Sequence, residues 1–324
     1  MTGKENTKRA IHFDGPDHIP LLIYGLSRIE ESDIAYLPVE TMFGGESGRT
    51  SEWGFTWKED DSAFALGQIE RPAFEGWERL GDYTGLAVDR TGRFNEARKV
   101  MASHPDKYFI ADFVLSGFTV MAFARGFENL MMDFHAEPDN IGRLADIVFG
   151  REEELIRACA AEGFDAVGFA DDWGTQRSLL ISPELFREIY KPRYKRQIDL
   201  AHSLDLDVFM HSCGHIIEII PDMIEIGLDI LNPGQPSLNG VEELGNRFKG
   251  RICFACPVSY QTTGITGNRR DIENEIKDYI RFLSDENGGL IGMVATKIME
   301  LGATREAQDA ITEGWLRLSR GGYI

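Results

Sequence analysis

No run of about 18 consecutive apolar residues occurs in this chain, so an ordinary membrane-spanning helix is excluded. The segment Met1 to Arg9 is polar and leads into Ala10-Ile11-His12-Phe13 without the apolar stretch of a secretory signal, so a cytoplasmic protein is expected. Basic residues are in short supply: 34 Lys and Arg face 53 Asp and Glu, for a net charge of −19. That field repels phosphate backbones, and no Lys/Arg stripe offsets it, which argues against nucleic acid as a partner. Cysteine is equally sparse. The four residues Cys159, Cys213, Cys253 and Cys256 do not make a disulfide framework in a reducing compartment. No Gly-rich phosphate loop follows the first strand-like run, so a doubly wound dinucleotide fold lacks its main signature. Internal repeats, low-complexity tracts and a dividing linker are all missing, and one domain over 1–324 is expected.

What the chain does contain is alternation on a large scale. Its 324 residues are 43% hydrophobic, enough for a sizeable core. Short apolar runs read as strands at Pro20–Gly25, Tyr108–Phe113, Phe164–Ala170, Leu206–His211, Leu228–Asn232, Arg251–Cys256 and Gly289–Val294. Helical patterns separate them. Ser182 before Pro183 and Glu184 reads as an N-cap with proline at the first helical position. Ile216–Ile226 reads as a short helix interrupted by Pro221 and closed by Gly227, and Asp271–Leu283 as a cleaner one. Strands separated by helices imply a parallel sheet covered on both faces. One further element between residues 54 and 110 brings the count close to the eight that close an α/β barrel. Residues 30–105 are weakly periodic and read as a long insertion or lid. Within them Trp53, Phe55 and Trp57 alternate, which suits a packing face.

The chemistry collects where apolar runs stop. Val208-Phe209-Met210-His211-Ser212-Cys213-Gly214 ends a strand in His-x-Cys, and alternation puts His211 and Cys213 on one face. In a barrel both would point into the mouth at the carboxyl end, where such enzymes keep their active sites. Imidazole and thiolate are preferred zinc ligands. A third ligand is available at the end of the strand next but one, where Cys256 is the better candidate and Cys253, on the opposite face, is expected to pack in the wall. The competing reading is three small buried residues and one hydrogen-bonded histidine. Cys159 reads as a buried apolar residue in a helix, and His215 as a residue behind the site or exposed.

A second buried strand ends in Asp171-Asp172-Trp173-Gly174-Thr175-Gln176. Adjacent carboxylates there are costly to bury unless they are paired, metal-bound or used in catalysis. A third motif, Asn232-Pro233-Gly234-Gln235, offers amide groups either to a substrate or to the loop itself. Asp171, Asp172 and Gln235 are the candidate catalytic residues. Tyr24, Asn232 and Gln176 are the candidate substrate-binding residues, and His211, Cys213 and Cys256 the candidate metal ligands.

Taken in order, Asp17-His18-Ile19-Pro20, Gly126-Phe127-Glu128-Asn129-Leu130, Asp171 to Gln176, Ile181-Ser182-Pro183-Glu184, His211-Ser212-Cys213-Gly214, Asp229 to Pro233 and Gln261-Thr262-Thr263 resemble the uroporphyrinogen decarboxylase superfamily over nearly the whole chain. That superfamily includes corrinoid-dependent methyltransferases. The resemblance implies a (β/α)8 barrel of TIM type, here with an N-terminal extension or insertion, commonly dimeric. In the methyltransferase branch a His-x-Cys pair and a later cysteine hold zinc, and His211 and Cys213 match the pair. The later cysteine is usually near the last strand, and Ile291–Ile298 contains none, so Cys256, Asp171 and Glu300 are the alternatives for the third ligand. The decarboxylase branch carries an arginine-rich segment after the first strand. Here that stretch is Ile23-Tyr24-Gly25-Leu26-Ser27-Arg28-Ile29-Glu30-Glu31, a poor electrostatic match for a macrocycle with eight carboxylates. The expectation is therefore a zinc-dependent methyltransferase acting with a cobamide on a partner corrinoid protein and a small methylated substrate such as a methoxylated aromatic. The runner-up is a cofactor-free tetrapyrrole decarboxylase.

Overall fold

The computed structural model describes residues 1–44, 48–58, 68–295 and 302–321. The strands of the described residues are, in chain order, β1 (Leu21–Ile23), β2 (Ile34–Pro38), β3 (Thr56–Trp57), β4 (Ile69–Arg71), β5 (Tyr108–Phe113), β6 (Ala166–Ala170), β7 (Asp207–Ser212), β8 (Ile230–Pro233), β9 (Cys253–Pro257) and β10 (Leu290–Val294). Eight of them close a barrel in the order β1-β10-β9-β8-β7-β6-β5-β2, all pairs parallel. β3 and β4 form a separate antiparallel pair. The eight-stranded barrel with surrounding helices is the expected fold.

The second barrel strand is a correction. It is Ile34–Pro38, not an element between residues 54 and 110, so the insertion begins only after it. Trp53, Phe55 and Trp57 are buried in that insertion, where Phe55 and Trp57 meet Phe123 edge-on, so this stripe is a packing face. No described helix is long and apolar enough to cross a membrane.

Alternation along the strands sorts the core into two bodies. Leu22, Ile34, Ile110, Ala166, Phe209 and Ile230 cluster with Cys253, Ala255, Ile291 and Met293 inside the barrel. Leu21, Val167, Val208, Leu231, Phe254 and Cys256 instead join the larger cluster shared with the surrounding helices. Burying each such aliphatic side chain contributes roughly 1.5–3 kcal/mol. Cys253 and Cys256 are therefore on the opposite faces from those expected, Cys253 inside and Cys256 behind the wall.

Local signals hold well where a cap was readable. Ser182 Oγ accepts from Leu185 N at 3.2 Å, although the helix it starts passes through a π turn at Phe186–Tyr190 before continuing as Lys191–His202. Pro221, by contrast, does not interrupt a helix. The helix there is Ile220–Glu225, and the proline lies in its first turn, where a missing N–H costs nothing.

Candidate active site

Parallel strands bring their carboxyl ends together, and the side chains that face inward there share one mouth. His211 is the last inward residue of β7, level with Ala170 on β6 and Asn232 on β8. Its Nδ1 lies 2.5 Å from Asn232 Oδ1, and Asn232 Nδ2 donates to Ala255 O at 2.6 Å. With its amide nitrogen committed to that carbonyl, Asn232 presents only an acceptor, so Nδ1 carries the proton and Nε2 faces the mouth. Cys213 Sγ is 3.3 Å from that Nε2, and Asp172 Oδ1 is 3.5 Å from it. Donor atoms of Asp172, His211 and Cys213 all lie within 4.8 Å of one another.

Backbone contacts hold this trio. Asp172 Oδ1 accepts from Cys213 N at 2.8 Å, so the carboxylate on the β6 loop is tied to the thiol-bearing residue on the β7 loop. Gly174 N donates to Cys213 O at 3.2 Å, and His215 N to Thr175 O at 2.8 Å. The two loops touch so closely that a Cβ on Gly214, whose φ is +84°, would fall 2.2 Å from the Gly174 carbonyl carbon. Gly234 is needed for a related reason. A Cβ there would come 2.8 Å from His211 Cε1 and 3.1 Å from Cys213 Sγ, closing the space beside the donors.

Burial disfavours charge on His211, but the neighbouring Cys213 sulfur, Asp172 carboxylate and Asn232 oxygen outweigh it and raise the imidazole to about 10. The donors together call for a positive charge among them.

Asp171, one residue earlier, has a different task. It is fully buried and accepts from Phe118 N at 2.9 Å, Thr119 N at 2.7 Å and Thr119 Oγ1 at 2.8 Å, and from the Tyr194 hydroxyl. It thus caps the first turn of the helix Gly117–Arg125 from outside. Burial pushes its carboxyl up to about 7, opposed by the Tyr194 and Thr119 hydrogen bonds. It is not a member of the Asp172, His211 and Cys213 donor group, and the contacts it makes are those of an anchor rather than of the catalytic residue or alternative third ligand expected. The anchor still serves the site, because the same Thr119 Oγ1 accepts from Asp172 N at 3.0 Å.

Gln235 also ties down a loop. Its Oε1 accepts from Gly214 N at 2.9 Å. Gln176 is exposed on the β6 loop, where Thr175 turns back onto Ser178, and it is not brought to the trio. Cys256 is fully buried on the outer face of β9, its thiol raised well above the ordinary value by burial and by Cys253 and Glu275 nearby. It is not a member of the donor group, because a strand turns alternate residues through the wall and 256 has the outward parity. Glu300 lies outside the described residues. His215, half-buried, has its backbone in the loop contact and a buried Nδ1 without a partner among the described residues.

Tyr24, expected as a substrate-binding residue, directly follows β1 and lies edge-on to Tyr36 with ring centroids 5.3 Å apart. Burial raises its phenol well above the ordinary value, helped by Asp112, Tyr260 and Cys213. Those neighbours reveal residues the sequence reading passed over: Tyr36, Asp112 and Tyr260. Asp112 was open to the rule used for His211, since Tyr108, Ile110 and Asp112 alternate inward on β5 and a carboxylate ends the run.

Three comparisons bear on this arrangement. The profile of the family described as uroporphyrinogen decarboxylase (URO-D) matches residues 67–309. The chain belongs to that family. Among solved structures, a methyltransferase from Methanosarcina mazei superposes with a TM-score of 0.74 at 16% identity, covering 97% of this chain and 98% of its own. A D-psicose 3-epimerase from Clostridium cellulolyticum H10 covers 92% of this chain and 95% of its own, with a TM-score of 0.47 at 9% identity. The first likeness shows a shared fold across nearly the full length of both chains. No protein of curated function matches the sequence. Within the uroporphyrinogen decarboxylase family, then, this member presents a His, Cys and Asp trio at the carboxyl end of its barrel.

Proposed function

We propose that this chain is a zinc-dependent methyltransferase that moves a methyl group between a small methylated substrate, a methoxylated aromatic, and the cobalt of a partner corrinoid protein. The observation that carries this reading is the convergence of His211 Nε2, Cys213 Sγ and an Asp172 oxygen within 4.8 Å of one another. One nitrogen, one sulfur and one oxygen suit Zn²⁺, and three protein ligands leave the fourth position for a substrate. Asn232 fits the same role from behind, because it fixes the tautomer that leaves Nε2 free for a metal. Asp172 thereby replaces the later cysteine of the methyltransferase branch, and Cys256 has no part. Zinc in this place would supply Lewis-acid activation of the atom that bears the methyl group.

The chain's own residues do the rest. Gly234 keeps space open next to the donors, Tyr24 lines the approach, and Gln235 and Asn239 fasten the β7 loop through Gly214. The acidic balance of the chain does not suit a polycarboxylate, and Arg28, the arginine that follows β1, is engaged by Glu31 at 2.8 Å. That weighs against decarboxylation of a tetrapyrrole. The M. mazei neighbour is itself described as a methyltransferase.

The test combines metal analysis with spectroscopy. Purified protein is expected to hold one zinc per chain, and a methoxylated aromatic plus a reduced corrinoid protein should change from the Co(I) to the methyl-Co(III) absorption spectrum on its addition. Metal-free protein that decarboxylates uroporphyrinogen at an ordinary enzymatic rate, with no methyl transfer over a panel of donors, would overturn the reading.

A further inference from the structure

Inside the barrel the space next to His211 is shaped by what β6 lacks. Asp112 on β5 pairs in register with Gly168, and Ala170 pairs with His211. β6 runs between β5 and β7 and shows the interior only these two small residues at its carboxyl end, Gly168 level with Asp112 and with Phe209, and Ala170 one inward step further, level with His211. Two strand spacings, roughly 10 Å, separate β5 from β7; Asp112 is one inward residue below the level of His211, so the two side chains face the barrel interior on either side of β6 at successive levels. Gly168 also makes room for Tyr36. A Cβ there would lie 2.8 Å from the Tyr36 hydroxyl, which sits against the Asp112 carboxyl.

We propose that Asp112 is a catalytic acid of the methyl-transfer site, holding the proton that the substrate oxygen takes as its methyl group leaves. This rests on the methyltransferase reading and adds the substrate class: ethers whose oxygen is a poor leaving group. The carbon–oxygen bond breaks with its electron pair staying on oxygen, and the methyl carbon bonds to the partner's reduced corrinoid through a pair supplied by cobalt. The oxygen takes the Asp112 proton, an alcohol or phenol departs, and the carboxylate regains a proton from solvent. In the reverse direction Asp112 is the base.

The environment suits a group that both holds and releases a proton near neutrality. Burial raises Asp112 to about 7, while the Tyr36 hydroxyl and the charge on His211 oppose the rise. The other groups that face it are Tyr24, just past the end of β1, and, past the end of β2, Glu40, which is itself raised well above the ordinary value by burial. None of these offers a lysine or arginine that would keep Asp112 ionised.

The experiment compares wild type with Asp112→Asn on a series of methyl aryl ethers, from unsubstituted to nitro-substituted rings, under single turnover with reduced corrinoid protein. Loss of an acid should cost about 100-fold with the poorest leaving group and only a few-fold with the nitro-substituted ring, which needs no proton. Zinc content should be unchanged. A protonated-carboxyl infrared band present in wild type below neutrality should disappear above it and be missing from the variant. Equal losses across the series, in a wild type that is active, would overturn the role of Asp112 and leave the methyltransferase reading standing. So would absence of that infrared band. A wild type that transfers methyl from no ether would overturn the methyltransferase reading itself.

Discussion

The two ends of the barrel each carry a histidine beside two acidic groups, and they behave differently. At the carboxyl end Asp172, His211 and Cys213 face one another; at the amino end His12, Asp207 and Asp229 do, with the same 4.8 Å limit on their donor atoms. Below, every acid is already engaged by the protein. His12 Nε2 sits 3.0 Å from Asp207 Oδ1, and Tyr108 OH donates to Asp207 Oδ2 at 2.5 Å. His202 Nε2 lies 2.8 Å from Asp229 Oδ2, which also accepts from Val208 N at 2.8 Å. These contacts latch helices to strand starts. Above, the imidazole is pinned at its rear nitrogen and leads with the other toward sulfur and oxygen. Proximity alone does not separate a candidate metal site from a latch; what separates them is where the remaining donors point.

The sharpest way to break this contrast is Cys213→Ala. It should remove most of the zinc and more than about 100-fold of the activity, given that even residues behind a metal ligand are worth 10–100-fold. His12→Ala should leave metal content untouched, as measured by elemental analysis of both variants. Asn232→Ala comes next, with an expected fall of about 10–100-fold in zinc affinity by competition with a chelator, because His211 loses the partner that sets its tautomer.

The latch at the other end should show itself in pH rather than in metal. His12 is raised above 6.5 first of all by its hydrogen bond to Asp207, and His202 by its hydrogen bond to Asp229, in each case against burial. A raised histidine stabilises the fold fully below its unfolded value and loses that contribution as pH rises through the folded value. The melting temperature of wild type should therefore exceed that of His12→Gln and His202→Gln most at mildly acidic pH, and the gap should narrow above neutrality. Both side chains are well exposed, at 51% and 39%, so solvent screening keeps this effect small. Smallest of all on metal is Cys256→Ser. Zinc affinity should equal that of wild type while stability falls by about 1 kcal/mol from placing a hydroxyl in the outer core. A weaker zinc affinity in that variant would return Cys256 to the ligand set.

Much of this contrast could be read from the chain. The barrel followed from apolar runs separated by helical patterns, and His211 with Cys213 from parity at a strand end. Parity misled at β9, because the run Arg251–Cys256 begins before the strand does and its inward residues are Cys253 and Ala255. β2 was missed because Ile34–Pro38 follows directly on Asp33 and ends in a proline, without the flanking helical patterns that mark the later strands. The division of labour between Asp171 and Asp172 could not be read at all. Neighbours in sequence on a strand end point to opposite sides, and only the placement of the helix Gly117–Arg125 tells which side is the anchor. Asp112 was legible and overlooked.

The contact between Gly174 and Gly214 has a consequence for how this site can change. Since the two loops are in backbone contact, neither can accept a side chain without displacing the other, and Asp172 and Cys213 ride on the same pair. The donor trio is thus a linked cassette rather than three independent positions. In a library randomised across both loops and sorted for metal retention, surviving sequences should keep the two glycines together, with almost no single replacements, while the exposed turn from Gln176 to Ser178 drifts freely.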